Sequence, residues 1–142
     1  MRSMKQVHPV SRRKESQLEE VEEIFRKLGK KARDTVVIVE GKKDRSSLRK
    51  LGVEGKIVCM KNSRRVLVDF LDQLKCREVI LLVDFDAYGS ALVRTITQYL
   101  EAKRVKVNTV FWKRVRRLVG RYVKDVEGLP SYVEKLKKSP HS

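Results

Sequence analysis

Two apolar runs that do not alternate place the tightest limits on this chain: TVVIV at 35–39 and EVILLV at 78–83. A strand with one wet face alternates polar and apolar residues, whereas a strand buried on both faces reads as a continuous β-branched stretch. KIVCM at 56–60 and VKVNTVF at 105–111 are a second and a fourth candidate strand. Helical spacing fills the gaps. Asp44 is placed to cap a helix through Lys50 that stops at Gly52. Ser63 is placed to cap another to about Lys75, with Val66, Leu67, Phe70, Leu71 and Leu74 inward. A third, over about 90–102, carries Ala91, Leu92, Thr95, Ile96, Tyr99 and Leu100 on its inner side. Strand and helix alternate, which predicts an α/β fold: a small parallel sheet of about four strands with helices on both faces.

This core, at 34–111, has flanks of a different character. Leu18, Val21, Ile24, Phe25 and Leu28 recur at helical spacing, and acids precede bases along the segment. Both features predict an N-terminal amphipathic helix over 15–33. Residues 1–14 are basic, contain Pro9 and lack periodicity, as expected of a mobile arm. Residues 112–142 read as a basic helical extension packed on the core, with a turn at Gly128 to Pro130 before a short last helix.

Charge narrows the partners. The 142 residues, about one domain's worth, hold 34 Lys and Arg against 18 Asp and Glu, a net charge of +16. Such an excess favours polyanions through counterion release, nucleic acid first. Cys59 and Cys76 do not stand at a metal-ligand spacing and read as reduced, buried thiols. No stretch approaches the roughly 18 apolar residues of a membrane helix, and the first residues lack the apolar heart of a secretion signal. A cytoplasmic protein without a membrane partner is expected.

In an open parallel sheet ligands gather beyond the carboxyl ends of the strands. Glu40 follows the first candidate strand, and Asp84 and Asp86 follow the third. If those strands are neighbours, three carboxylates meet at one sheet edge. A hard divalent cation such as Mg²⁺ resolves their repulsion through oxygen ligation. Any one of these acids is as well explained by a solvated strand end or a helix cap, and Asp44 better so; the three together are not. Lys42 and Lys43 stand beside Glu40, either meeting phosphates or merely solvated. Lys61, Arg64 and Arg65 flank the second strand's carboxyl end, giving an acidic centre with a basic rim.

Glu40-Gly41-Lys42-Lys43-Asp44 after one apolar strand, and Asp84-Phe85-Asp86 with Gly89 after a later one, resemble the two motifs of the Toprim domain. That domain is shared by topoisomerases, bacterial-type primases, OLD-family nucleases and the ribonuclease that matures 5S ribosomal RNA. The chain is most similar to the small stand-alone archaeal Toprim proteins and the maturase-like branch. The resemblance implies a Rossmann-like sheet, Glu40 as general acid/base, and Asp84 and Asp86 as catalytic acids holding Mg²⁺, with Glu40 also able to ligate and Mn²⁺ able to substitute. Gly41 and Gly89 would let backbone pass close to the site. It further implies structured RNA ahead of DNA, and a ribonucleoprotein or RNA-processing complex as partner. Ser90 stands where many catalytic members carry a further acid. A Mg²⁺-dependent nuclease or nucleotidyl-transfer enzyme is therefore set beside a non-catalytic RNA-binding or assembly module.

A second basic feature is Lys113, Arg114, Arg116, Arg117, Arg121 and Lys124, with Trp112 and Tyr122 interleaved. Such a run can track a phosphate backbone and stack bases. Val115, Leu118, Val119 and Tyr122 form the opposite, core-facing side, and Trp112 is more often core than platform.

Overall fold

The protein, described by a computed structural model over residues 9–62 and 66–138, is built on a four-stranded parallel sheet. In chain order its elements are α1 (Pro9–Ala32), β1 (Val36–Val39), α2 (Lys42–Lys50), β2 (Ile57–Cys59), α3 (Leu67–Asp72), β3 (Glu78–Leu81), α4 (Ala87–Ala102), β4 (Lys106–Asn108), α5 (Val110–Val119) and α6 (Leu129–Lys137). Short 3-10 turns follow β2 and precede α6. The strands lie in the order β2-β1-β3-β4. The two non-alternating runs therefore become the two central strands, with Val36, Val37 and Ile38 opposite Val79, Ile80 and Leu81. Val37, Ile38 and Val39 are fully buried, as are Val79 through Val83. Successive side chains point to opposite faces, so complete burial of consecutive residues means that both faces are covered.

The N-terminal helix begins at Pro9 rather than near Glu15. Pro fits a first helical turn because its missing N–H has no partner to lose there. The longer helix takes the acids out of the first turn, leaving Lys30 and Lys31 in the last turn as its favourable dipole contacts. Residues 1–8 of the expected arm lie outside the described residues. Val21, Ile24, Phe25 and Leu28 are buried as the periodicity requires.

Other boundaries differ. The helix expected from Ser63, which lies outside the described residues, to about Lys75 is α3 over Leu67–Asp72, with Val66 its exposed N-cap rather than an inner residue. Helix α4 begins at Ala87 rather than near 90, and Ala91 and Thr95, expected inward, are exposed. The segment expected as a strand over 105–111 leaves the sheet after Asn108, whose Oδ1 accepts the Val110 N–H at 2.9 Å. That side-chain turn redirects the backbone, and buried Phe111 and Trp112 become the inner face of α5. Asp44 lies inside α2 rather than at its start. Its Oδ2 reaches back to accept the Gly41 N–H at 3.0 Å, the reciprocal half of a capping box. Gly52, at φ +92°, ends α2 as expected. Cys59 and Cys76 are free thiols, the first buried and the second half-buried. Among the described residues no helix is long and apolar enough to cross a membrane.

Candidate functional site

Because β1 and β3 are neighbours, the residues just past their carboxyl ends meet. Glu40, one step beyond β1, is only 3% exposed. Its Oε2 accepts the Asp84 N–H at 3.0 Å, so the carboxylate extends the strand pairing by one more rung. Its Oε1 faces the Lys61 ammonium at 3.7 Å, and the Lys61 N–H donates to the Glu40 carbonyl at 2.7 Å. A buried charge persists only when hydrogen-bonded and paired, and Glu40 is both.

Asp84 is held from three sides. Its carbonyl accepts the Trp112 indole N–H at 3.1 Å, and its Oδ1 accepts the Val126 N–H at 3.1 Å. A Cβ on Gly89 would stand 1.9 Å from that same carbonyl oxygen. Only glycine admits the helix so close, which gives the motif's glycine a steric reason. Gly41 differs: a Cβ there would meet nothing closer than Asp44 Oδ2 at 4.0 Å, so no protein neighbour demands glycine. Burial pushes the Asp84 carboxyl up to about 6; the Val126 N–H opposes this, and Glu40, Asp125 and Asp86 add to it as like charges. Burial likewise raises Asp44, with smaller contributions from Asp84 and Glu127.

These groups line a cleft of about 470 Å³ that gathers Glu40, Asp44, Asp84, Asp125 and Glu127 with Lys42, Lys43 and Lys61, Gly41 also lining it. Asp86 is not in its lining. As N-cap of α4 it accepts the Gly89 N–H through Oδ1 at 2.8 Å and is exposed. Arg64 and Arg65 lie outside the described residues. The basic run lies elsewhere: Lys113, Arg116 and Arg117 are exposed and Arg114 half-exposed on α5, with exposed Arg121 and Lys124 following. Trp112 is core, 3% exposed, with the Arg116 guanidinium 5.1 Å from its ring centroid.

Asp125 and Glu127 went unrecognised in the sequence. The Phe85 N–H donates to the Lys124 carbonyl at 2.7 Å, and Ser47 Oγ donates to the Glu127 carbonyl at 3.2 Å, pinning the 3-10 turn at 126–128 between the end of β3 and α2. The C-terminal extension thus closes one wall of the cleft. The available signal was an Asp-x-Glu-Gly stretch, acidic within an otherwise basic segment.

Among the described residues no group of three His, Cys, Asp or Glu side chains is placed to hold a metal by itself. The donors are nonetheless hard oxygens. Mg²⁺ is commonly held by one or two carboxylates, completed by water and phosphate, and Glu40 with Asp84 fits that mode.

Residues 35–110 match the Toprim domain. The chain belongs to the Toprim family. A UPF0292 protein of Methanocaldococcus jannaschii is 36% identical over 124 residues, 87% of this chain and 97% of that one. A UPF0292 protein of Methanosarcina barkeri is 32% identical over 84% of this chain and 85% of its own. Both matches run beyond the Toprim domain into the helical flanks. A solved Aquifex aeolicus protein shares the fold with a TM-score of 0.60 and 27% identity, over 74% of this chain and 94% of that one. This is a small archaeal-type Toprim protein, and its Toprim domain supports a metal-binding, nucleic-acid-related role in general terms.

Proposed function

We propose that the acidic cleft is a Mg²⁺-dependent phosphodiester site acting on nucleic acid, structured RNA before DNA. The observation that carries this reading is the buried Glu40 bonded to the backbone of Asp84, whose own carboxyl is raised to about 6 by burial, with neighbouring like charges adding to it. A chain of net charge +16 that nevertheless gathers acids at one sheet edge is arranged for a cation there and a polyanion around it. Glu40 and Asp84 would hold the ion, with Asp86 reaching it through water; once bound, the ion neutralises phosphate charge and makes a bound water more acidic. Glu40, oriented by the Asp84 N–H, takes or returns a proton at Oε1, while Lys61 steadies its charge. Lys42 and Lys43 draw the phosphate backbone to the rim, and the open space beside Gly41 admits it. RNA is favoured by likeness to the maturase-like branch.

A non-catalytic RNA-binding or assembly module is the second reading. Ser90 in place of an acid, and Asp86 committed to capping α4, favour it. Incubation with structured RNA, single-stranded RNA and DNA, in Mg²⁺ and in EDTA, separates the two. Cleavage by the native protein that disappears in Asp84→Asn/Asp86→Asn supports the enzyme, whereas tight binding with intact substrate throughout supports the module. The basic run has its own check. Replacing Arg114, Arg117 and Arg121 with Gln should weaken binding and flatten the salt dependence by about 0.7 in slope per lost single-strand phosphate contact. An unchanged slope would mean that these arginines only solvate the helix.

A further inference from the structure

Away from the acidic cleft, α1, α5 and α6 meet around a second hollow of about 410 Å³. The Tyr122 and Tyr132 rings lie parallel there, 5.8 Å between centroids and 10° between planes. Their support is polar and exact in its pairing: Tyr132 Oη donates to Gln17 Oε1 at 2.7 Å, while Gln17 Nε2 donates to the Leu118 carbonyl at 2.9 Å. Gln17 thus locks the inner ring to α5. The outer ring is open, since Tyr122 is 58% exposed. Arg13, Lys14 and Lys135 edge the hollow, and Glu20 is the acid in its lining.

An aromatic face held rigid by a second ring loses little freedom when a flat ligand settles on it, and cations around it select a ligand that carries phosphate. We propose that the Tyr122 ring is a stacking platform for an unpaired nucleobase of a nucleic-acid strand, whose flanking phosphates meet Arg13, Lys14 and Lys135. Excess positive charge around the hollow matches that occupant, and every base offers a π-face. The segment after the platform leads to the cleft. Four residues on from Tyr122, the Val126 N–H holds Asp84, and a chain of that length spans at most about 14 Å. The inference rests on the proposed nucleic-acid role but places recognition of unpaired bases at a separate surface.

The test is fluorescence anisotropy with a labelled single-stranded oligoribonucleotide and its duplex, in EDTA so that cleft metal does not contribute. Tyr122→Ala should weaken single-strand binding about ten-fold and leave the duplex unaffected. Tyr122→Phe should retain native affinity, because the ring and not the hydroxyl stacks. A 4-thiouridine probe should crosslink to Tyr122, a readout that does not depend on the variants' folding. Equal loss for single strand and duplex, no loss at all, a crosslink mapping elsewhere, or a change in sedimentation on Tyr122→Ala that shows the ring covered by a second copy would each overturn the platform. In the first three cases the native protein still binds RNA, and the cleft reading stands. Absence of binding by the native protein to any nucleic acid would remove both.

Discussion

The acidic cleft and the tyrosine platform are two sites of opposite construction. The cleft is made by backbone: its main acids follow the carboxyl ends of the two central strands, Glu40 directly and Asp84 three residues on, and the Asp84 N–H and Glu40 carboxylate continue the sheet's own pairing. The platform is made by side chains from distant parts of the chain, with Gln17 joined to positions 101 and 115 residues away. The first is as rigid as the sheet. The second is as rigid as one glutamine makes it. A motif with fixed spacing marks the first kind of site, and no spacing marks the second.

The largest break in this comparison should come from Gly89→Ala. Its Cβ would press on the Asp84 carbonyl, a backbone atom of the sheet's end that cannot swing aside, so we expect a loss of about 2 to 3 kcal/mol in urea unfolding. The response of thermal stability to Mg²⁺ should fall with it. A loss under about 0.5 kcal/mol, within the range of ordinary surface changes, would show that the strand end yields and that the cleft is no more rigid than the platform.

That difference in construction also explains what was legible in the sequence. Within the runs at 35–39 and 78–83, the unbroken apolar stretches 36–39 and 79–83 identify the two central strands, because burial on both faces leaves no polar position in them. Once those are neighbours, the meeting of Glu40 with Asp84 follows from topology. Asp86 carries the same motif yet faces α4 as its cap, because one residue further along the chain the backbone has already turned into a helix. Asp125 and Glu127 were hidden for another reason: nothing local to them specifies that the Phe85 N–H will take the Lys124 carbonyl as partner. Trp112 and Tyr122 both stand among arginines, and helical spacing places Tyr122 on the core-facing side, but α5 ends at Val119 before reaching it. Tertiary packing decides that the first is core and the second exposed.

Gln17→Ala should have an intermediate effect and sharpens the contrast from the other side. It strips the Tyr132 hydroxyl of its acceptor and the Leu118 carbonyl of its donor, both partly buried. A loss of about 1 to 2 kcal/mol is expected in chemical unfolding. Single-strand affinity should drop because the inner ring is no longer fixed. The Mg²⁺ response should not change, since no cleft bond involves α1. If the variant weakens the Mg²⁺ response as much as it weakens single-strand binding, the two sites are coupled and the comparison fails.

The smallest effect is the most diagnostic of the cleft, because its sign runs against expectation for a site residue. Asp84 has its carboxyl raised to about 6 from an ordinary 3.8, with burial the main cause. A group whose folded pKa exceeds its unfolded one contributes stability while protonated, below about pH 4, and loses that contribution as pH rises through about 6. Above pH 6 the metal-free protein therefore carries the cost of an ionised, crowded carboxylate. Asp84→Asn removes the charge while its side-chain oxygen can still accept the Val126 N–H. The metal-free variant should be more stable than the native protein by about 1 kcal/mol at pH 8, after allowance for the solvent that reaches this half-buried group. The gain should shrink through pH 6 and vanish below pH 4. Added Mg²⁺ should then reverse the order, stabilising the native protein by mass action and leaving the variant unmoved. Melting curves at pH 4, 6 and 8, with EDTA and with Mg²⁺, read all of this at once. A variant less stable than native at pH 8 in EDTA would mean that Asp84 is held as an ordinary structural carboxylate, with its charge already balanced by the protein and no call for a cation.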